Sequence, residues 1–153
     1  MTTGVNPLQA PWASRALAAL RIVAGYLFIA HGTAKLFGAP HVAMFDGLQL
    51  FSLMGLAGVL EVVGGALLIV GLLTRPVAFV LSGFMAVAYF MAHASQGNAL
   101  LPIGNGGELA VLYSFLFLFL SAAGGGAYAL DNVLRDRKAP TVPTLEAYAG
   151  SVR

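Results

Sequence analysis

Four apolar runs dominate this chain and restrict its fold more than any other feature of the sequence. They cover residues 16–37, 51–73, 77–94 and 109–123 of 153. A helix rises 1.5 Å per residue, so about 20 apolar residues cross the ~30 Å hydrocarbon core of a bilayer. Composition agrees, because 9% of the residues are charged, whereas soluble domains have about 25%. The sequence therefore predicts an all-α fold, an integral membrane four-helix bundle.

The basic residues predict the orientation of this bundle. Of the eight Lys and Arg residues, only Lys35 falls on one side of the four-span arrangement. The other side holds the remaining seven: Arg15, Arg21, Arg75, Arg135, Arg137, Lys138 and Arg153. Because Lys and Arg are enriched in cytoplasmic loops, we expect an N-in/C-in topology.

This topology divides the chain into three parts. Residues 1–15 form an N-terminal cytoplasmic segment, residues 16–130 the four-transmembrane-helix domain, and residues 131–153 a C-terminal cytoplasmic tail. We expect no separate soluble catalytic domain, because the apolar runs use most of the length.

Composition also excludes several classes of function. The net charge of +2 comes from basic residues scattered at the ends of the apolar runs, so no basic patch for nucleic acid is expected. The chain has no cysteine, which excludes disulfides, thiolate metal sites and iron–sulfur clusters.

A small set of polar residues lies within or at the ends of the apolar runs. A charged side chain in the hydrocarbon costs at least ~2.5 kcal/mol, so each needs a partner, a water-filled cavity or a route to the interface. The run limits place Glu61 near the midplane and the others toward the outer surface. We expect a polar cluster in the outer half of the bundle and an almost purely apolar inner half. The candidate ligand-binding or proton-relay residues are His31, Lys35, Glu61, His93, Asn105 and Glu108.

Each of these residues also has a structural interpretation. Lys35 can reach the outer interface along its own stem. Glu61 has only apolar neighbours, so it is either protonated or paired with a basic group of another helix, and that bond alone would fix helix register. Glu108 suits the start of a helix, where the dipole favours a negative charge.

A metal or haem is the less favoured interpretation. His31 and His93 offer two axial ligands for a haem, or a non-haem metal site together with the two glutamates. The helical Glu-x-x-His pairs of di-iron bundles are missing. We therefore expect no metal and no covalently bound cofactor.

Four sequence blocks carry a resemblance to a known family. The first is Leu20-Arg21-Ile22 to Phe28 with His31-Gly32, Lys35 and Phe37-Gly38, and the others lie further along the chain. They are Gly58-Val59-Leu60-Glu61 with Gly64-Gly65, then Gly71-Leu72-Leu73-Thr74-Arg75, and Asn105-Gly106-Gly107-Glu108 with Tyr113. Over about residues 15–131 the chain resembles the DoxX family. The resemblance implies a four-helix protein of the bacterial inner membrane, linked to quinol oxidases and quinone-dependent oxidoreductases.

Three functions follow as hypotheses. The first is a subunit of a redox complex that binds a quinone or similar apolar ligand in the outer half, with the ring against aromatic residues such as Tyr26, Tyr89, Phe90 or Tyr113. The second is a non-catalytic accessory or assembly subunit, since the chain has no complete catalytic constellation. The third, a proton-coupled carrier, is disfavoured by the apolar inner half. The expected partners are membrane lipid and other membrane protein subunits.

Overall fold

The computed structural model describes residues 11–138, and this part of the chain is helical with no β-strand. The α-helices are α1 Pro11–Phe37, α2 Leu53–Val70, α3 Thr74–Ala88, α4 Pro102–Asn105, α5 Glu108–Ala123 and α6 Leu130–Lys138. A single 3₁₀ turn, Ala43–Phe45, lies in the loop after α1. The predicted all-α class is confirmed.

Helices α1 and α2 pack against each other through glycines. A Cβ atom on Gly25 would lie 2.7 Å from the carbonyl oxygen of Gly65, and one on Gly65 would lie 2.6 Å from that of Gly25. A second crossing point joins Gly32 to Gly58, where the corresponding distance is 2.7 Å. These distances leave no room for a side chain, as expected of small residues at a membrane helix interface.

Helices α3 and α5 form the second closely packed pair. Ser82 Oγ donates to the carbonyl of Ser114 at 2.8 Å, and Ser114 Oγ donates to the carbonyl of Ser82 at 3.1 Å. These reciprocal bonds satisfy both hydroxyl groups where no water is available. The two pairs meet in one core, which contains Phe28, Leu68, Leu81, Phe117 and Leu120.

Within residues 11–138, three helical segments are long and apolar enough to cross a membrane: Pro11–Phe37, Leu53–Val70 and Thr74–Gln96. The third continues α3 through a π-helical turn, Tyr89–His93, and a 3₁₀ turn, Ala94–Gln96. The fourth apolar helix, α5, is shorter, with 16 residues. A multi-span helical membrane fold is therefore evident from the helices themselves.

The break between the second and third apolar runs is a tight turn. Gly71 ends α2 with a left-handed φ of 73°, and a Cβ there would also lie 2.7 Å from the backbone of Ala129. Helix α3 begins directly at Thr74, which we expected to lie in the break, and Pro76 falls in its first turn. Proline suits this position because the first helical N–H groups have no partner within the helix.

The last described segment is helical. Helix α6, Leu130–Lys138, begins at the last residue of the predicted transmembrane domain and continues into the region that we assigned to a cytoplasmic tail. The limits of the three predicted parts remain a prediction, and residues 1–10 and 139–153 of the terminal parts lie outside the described residues.

Candidate functional site

Of the ion pairs that the described residues form, the more buried one joins α1 to α2. Lys35 Nζ lies 2.6 Å from Glu61 Oε1, and the two side chains are 10% and 7% exposed. Glu61 lies in the middle of α2, between Gly58 and Gly64, and the close approach of α1 brings the lysine within reach. Of the two alternatives for Glu61, protonation or a basic partner on another helix, the structure shows the second, with Lys35 as the partner.

Half of the Glu61 carboxylate remains available. Oε2 is buried and has no hydrogen-bond partner among the described residues. Buried carboxylate oxygens are normally satisfied, so an unpaired one indicates a group that a ligand, water or proton completes. The ring of Phe45, from the loop after α1, lies 5.5 Å from Lys35 Nζ. This aromatic residue covers the ion pair from the loop side.

A second polar group lies on the other helix pair. His93 Nδ1 is 3.1 Å from the carbonyl oxygen of Asn105, so this nitrogen is the donor. Tyr89 stacks on the His93 ring with 6.3 Å between centroids, and its hydroxyl donates to the carbonyl of Ala99 at 2.7 Å. Asn105 Nδ2 in turn donates to the Tyr89 hydroxyl at 3.3 Å. These bonds fasten the π-helical turn to the loop before α5.

The motif Asn105-Gly106-Gly107-Glu108 is explained by this contact. Asn105 Oδ1 accepts from the Gly107 N–H at 2.9 Å, and a Cβ on Gly107 would lie 2.5 Å from the Tyr89 ring. Glycine is therefore required for the Tyr89 ring to lie on the backbone. Glu108 is exposed at the first position of α5, as its structural interpretation predicts.

The six predicted site residues thus fall into different environments. Lys35 pairs with Glu61, and His93 bonds Asn105, whereas His31 and Glu108 are exposed and make no side-chain hydrogen bond within residues 11–138. No three His, Asp or Glu residues in this range lie close enough to hold a metal ion. The aromatic residues also separate, since Tyr26 and Phe90 are exposed while Tyr113 packs on Phe28 in the core.

Arg21 was misread in the sequence. We took it for a cytoplasmic topology charge, but it lies within α1 and is fully buried. Its guanidinium donates to the carbonyl groups of Leu68, of Ile69 at 2.7 Å and of Gly125 at 2.9 Å. The last carbonyls of a helix have no partner within it, so Arg21 caps the C-terminus of α2.

The carboxylate of Asp131 completes this second charged centre. It accepts from the backbone N–H groups of Leu73 at 2.7 Å and Thr74 at 2.8 Å, at the start of α3. Burial alone would raise the pKa of Asp131, but the hydrogen bonds from Thr74 and Leu73 and the positive charge of Arg21 outweigh it and leave the pKa below its usual value. The expectation of an almost purely apolar inner half is therefore wrong.

The bundle therefore has a charged group toward each end. We call them the Lys35 end, where α1 ends and α5 begins, and the Arg21 end, where α2 ends and α3 begins. Every hydrogen bond that Arg21 makes within residues 11–138 goes to a backbone carbonyl, so the role of Arg21 is structural. At the Lys35 end, ammonium donors and one carboxylate oxygen remain available, and this pair is the better candidate for chemistry.

Comparison with known proteins agrees with the fold. The sequence profile of the DoxX family matches residues 16–94, a shorter stretch than the 15–131 that the four blocks suggested. An uncharacterised protein of Haemophilus influenzae is 54% identical, over 76% of this chain and 88% of its own length. The inner membrane protein YqjF of Escherichia coli is 31% identical, over 76% of this chain and 90% of its own length. No solved structure matches.

The apolar helices and these relatives define the class of protein: it is a multi-pass protein of the bacterial inner membrane. Within that class, the chain belongs to the DoxX family.

Proposed function

We propose that this chain is an integral membrane subunit of a redox complex, and that it binds a quinone or similar apolar ligand at the Lys35–Glu61 pair. One observation carries the proposal. A buried ion pair between two apolar helices keeps a carboxylate oxygen, Glu61 Oε2, that has no partner within residues 11–138. An intramembrane ionisable group is a functional candidate by default because its burial is costly.

The donors and acceptors of the pair suit such a ligand. The Lys35 ammonium has three N–H donors and gives one to Glu61, which leaves two for a carbonyl oxygen. Glu61 Oε2 can accept from a hydroxyl group. A quinone carries two electrons and two protons. Its oxidised form has carbonyl oxygens, and its reduced form has hydroxyl groups. Glu61 would hold or accept the proton, and Lys35 would orient the oxygen.

We propose further that the chain crosses the membrane four times with both termini in the cytoplasm. Helix α5 is about 24 Å long at 1.5 Å per residue, which a slightly thinned bilayer accommodates. Arg15, Arg75, Arg135 and Arg137 belong to elements at the Arg21 end, while Lys35 is neutralised by Glu61. The positive-inside rule assigns the Arg21 end to the cytoplasm even without Arg21 itself.

A second candidate is an accessory or assembly subunit without a ligand, and it rests on a different observation. Large apolar side chains are exposed in the loops at the Lys35 end, beyond the helices that would lie in lipid. They are Met44, Leu50, Phe51, Leu100, Leu101 and Ile103. We call these residues the loop patch, and large apolar side chains exposed outside the lipid are typical of a protein–protein contact. The two candidates are compatible if a partner covers the ligand site.

Gentle purification from the native membrane tests the proposal. Quinone is extracted from the purified full-length chain and its complexes and quantified per chain by chromatography. We expect about one quinone per chain, together with redox subunits as co-purifying proteins. Partner subunits without any quinone above the level of a control membrane protein would favour the accessory role.

A variant of the loop patch separates the two candidates. Exchange of Leu100 and Ile103 for serine should release partner subunits and leave quinone bound to the chain. If partner content is unchanged, the patch is not the contact, and the accessory role loses its structural support.

A further inference from the structure

A cleft of about 520 Å³ opens at the Arg21 end, away from the Lys35–Glu61 pair. Its walls come from the first turns of α1 and α3, the glycine loop after α5, and α6. The polar and charged side chains that line it are Ser14, Arg75, Asp131, Asn132 and Arg135. Nothing in the proposed quinone function uses this cleft.

The charges around the cleft favour an anion. The ion pairs among residues 11–138 are Lys35–Glu61 and His41–Asp46, so neither Arg75 nor Arg135 is neutralised there by a carboxylate. Asp131 is the acidic residue in the lining, and its two oxygens accept the N–H groups of Leu73 and Thr74. Two arginines therefore face the cleft against one carboxylate that is already bound.

The walls are held in place by hydrogen bonds. The N–H of Ala127 donates to the carbonyl of Ser14 at 3.0 Å, and Asn132 Nδ2 donates to the carbonyl of Gly126 at 2.8 Å. Arg21 Nε also binds this loop, because it donates to the carbonyl of Gly125. A pre-formed cleft binds its ligand without the entropic cost of ordering the loop.

The position of the cleft indicates a membrane lipid as the source of the anion. It lies where the apolar helices end, so a bilayer around these helices would place it at the level of the lipid headgroups. Leu73, which is 56% exposed, lies at its edge, and α6 exposes Val133 and Leu134 beside Arg135. A short helix with apolar and basic residues suits the membrane interface, and basic residues there attract anionic lipids.

We propose that this cleft binds the phosphate of an anionic phospholipid, with Arg75 and Arg135 as its ligands. Guanidinium groups donate paired N–H groups to phosphate oxygens, which makes arginine the suited residue. The acyl chains extend along the exposed face at Leu73. The site does not depend on the quinone proposal.

Lipid binding to the delipidated full-length protein tests the site. Native mass spectrometry in mild detergent compares phosphatidylglycerol with phosphatidylcholine for the wild type and for Arg75→Gln/Arg135→Gln. We expect the wild type to bind one phosphatidylglycerol in preference to phosphatidylcholine, and the double variant to lose affinity on the order of thirtyfold, about fivefold for each arginine. Arg137→Gln is the matched control, because Arg137 lies on α6 but does not line the cleft, and its affinity should equal that of the wild type.

Two further measurements complete the test. If the double variant does not fold, Arg135→Gln alone replaces it, since Arg135 is exposed on α6, and a fivefold loss is then expected. Inorganic phosphate is added as a competitor to the phosphatidylglycerol complex of the wild type. Equal binding of phosphatidylglycerol by variant and wild type would overturn the site, and displacement of the lipid by millimolar phosphate would overturn the assignment of its source to a lipid.

Discussion

Arg21 connects three separate parts of the chain through a single side chain. It is fully buried and donates to backbone carbonyls of α2, of the glycine loop after α5, and of Tyr128 just before α6. An unsatisfied carbonyl inside the protein is costly, so these bonds stabilise the contact between the three parts. Arg21 therefore stabilises the fold rather than setting topology alone.

Replacing Arg21 by methionine should destabilise the folded bundle by about 3 kcal/mol, because several carbonyls lose a charged donor. Thermal unfolding of the detergent-purified variant measures the effect. Arg15→Met is the matched control, since Arg15 is exposed on the same helix, and its melting temperature should stay within about a degree of the wild type. Equal melting of both variants would contradict the structural role of Arg21.

Asp131 should make the Arg21 end sensitive to acid. Its pKa in the folded state lies below the usual 3.8, so its stabilising effect is complete above that value and is lost as the pH falls through the folded pKa. We expect Asp131→Asn to be less stable than the wild type at pH 7 and to lose less stability as the pH falls to 3. Unfolding measured between pH 7 and pH 3 gives both results. Asp136→Asn, on the exposed part of α6, should retain the wild-type profile. If the pH profile of Asp131→Asn equals that of the wild type, Asp131 does not contribute to the pH dependence of stability.

These two charged centres differ in how far the sequence reveals them. Glu61 has only apolar neighbours along its helix, so its need for a partner on another helix is evident, and Lys35 is a candidate within the same half of the bundle. Arg21 lies six residues from Arg15 near the start of an apolar run, which is also the pattern of a topology charge. Its partners are backbone carbonyls of residues 47 to 107 positions away, and carbonyls leave no signal in a sequence.

The α1–α2 crossing is where helix packing depends most on single residues. A Cβ on Gly65 would lie 2.6 Å from the Gly25 carbonyl oxygen, whereas a Cβ on Gly83 would meet no atom within 4 Å. Gly65→Ala should therefore force α1 and α2 apart and cost about 1–3 kcal/mol. Gly83→Ala, the control, should be neutral or stabilise slightly, because alanine is the better helix former. The melting temperature of Gly65→Ala should therefore be lower than that of Gly83→Ala. Equal melting temperatures would mean that the crossing is not close-packed.

At the level of elements, the sequence predicts the apolar helices well and their ends less well. Run lengths and turn residues located α2, α3 and α5 within a few positions, but hydrophobicity continues past the end of α2 to Leu72 and Leu73. The end is set by Gly71 docking on Ala129, a contact between distant parts of the chain. The π-helical turn at Tyr89–His93 was likewise not predicted, since it depends on the Tyr89–Asn105 contact.

For the whole molecule, the first prediction concerns orientation. Single cysteines at position 98, in the loop at the Lys35 end, and at position 136, on α6, are exposed to solvent or the membrane surface. An impermeant thiol reagent should label position 98 in spheroplasts and spare position 136 until the membrane is permeabilised, because the proposed topology places the arginine-rich end in the cytoplasm. The chain has no native cysteine to interfere. Labelling at position 136 alone would reverse the orientation, and labelling at both would contradict the even number of spans.

The buried charged groups at the two ends of the bundle differ in how completely the protein satisfies them. Among the described residues, the buried atom without a partner at the Arg21 end is the neutral hydroxyl oxygen of Thr74, and Arg21 itself is satisfied by backbone carbonyls, whereas at the Lys35 end it is a carboxylate oxygen. A bundle that needed the Lys35–Glu61 pair only for packing would gain little from it, since intramembrane hydrogen bonds contribute roughly 0.6 kcal/mol on average. The pair therefore deserves a test in which folding and binding are measured independently.

Quinone content of the double variant Lys35→Met/Glu61→Leu provides this test. Replacing both partners of a buried ion pair by apolar residues of similar volume is often neutral for stability, so the variant should assemble and melt like the wild type. Glu61→Gln should also assemble but bind less quinone, and His41→Ala, in the exposed His41–Asp46 pair, should bind as the wild type does. We predict that the correctly assembled double variant retains less than about a tenth of the wild-type quinone per chain, which corresponds to a loss of at least 1.4 kcal/mol. Wild-type quinone content in that variant would contradict a ligand site at the Lys35–Glu61 pair.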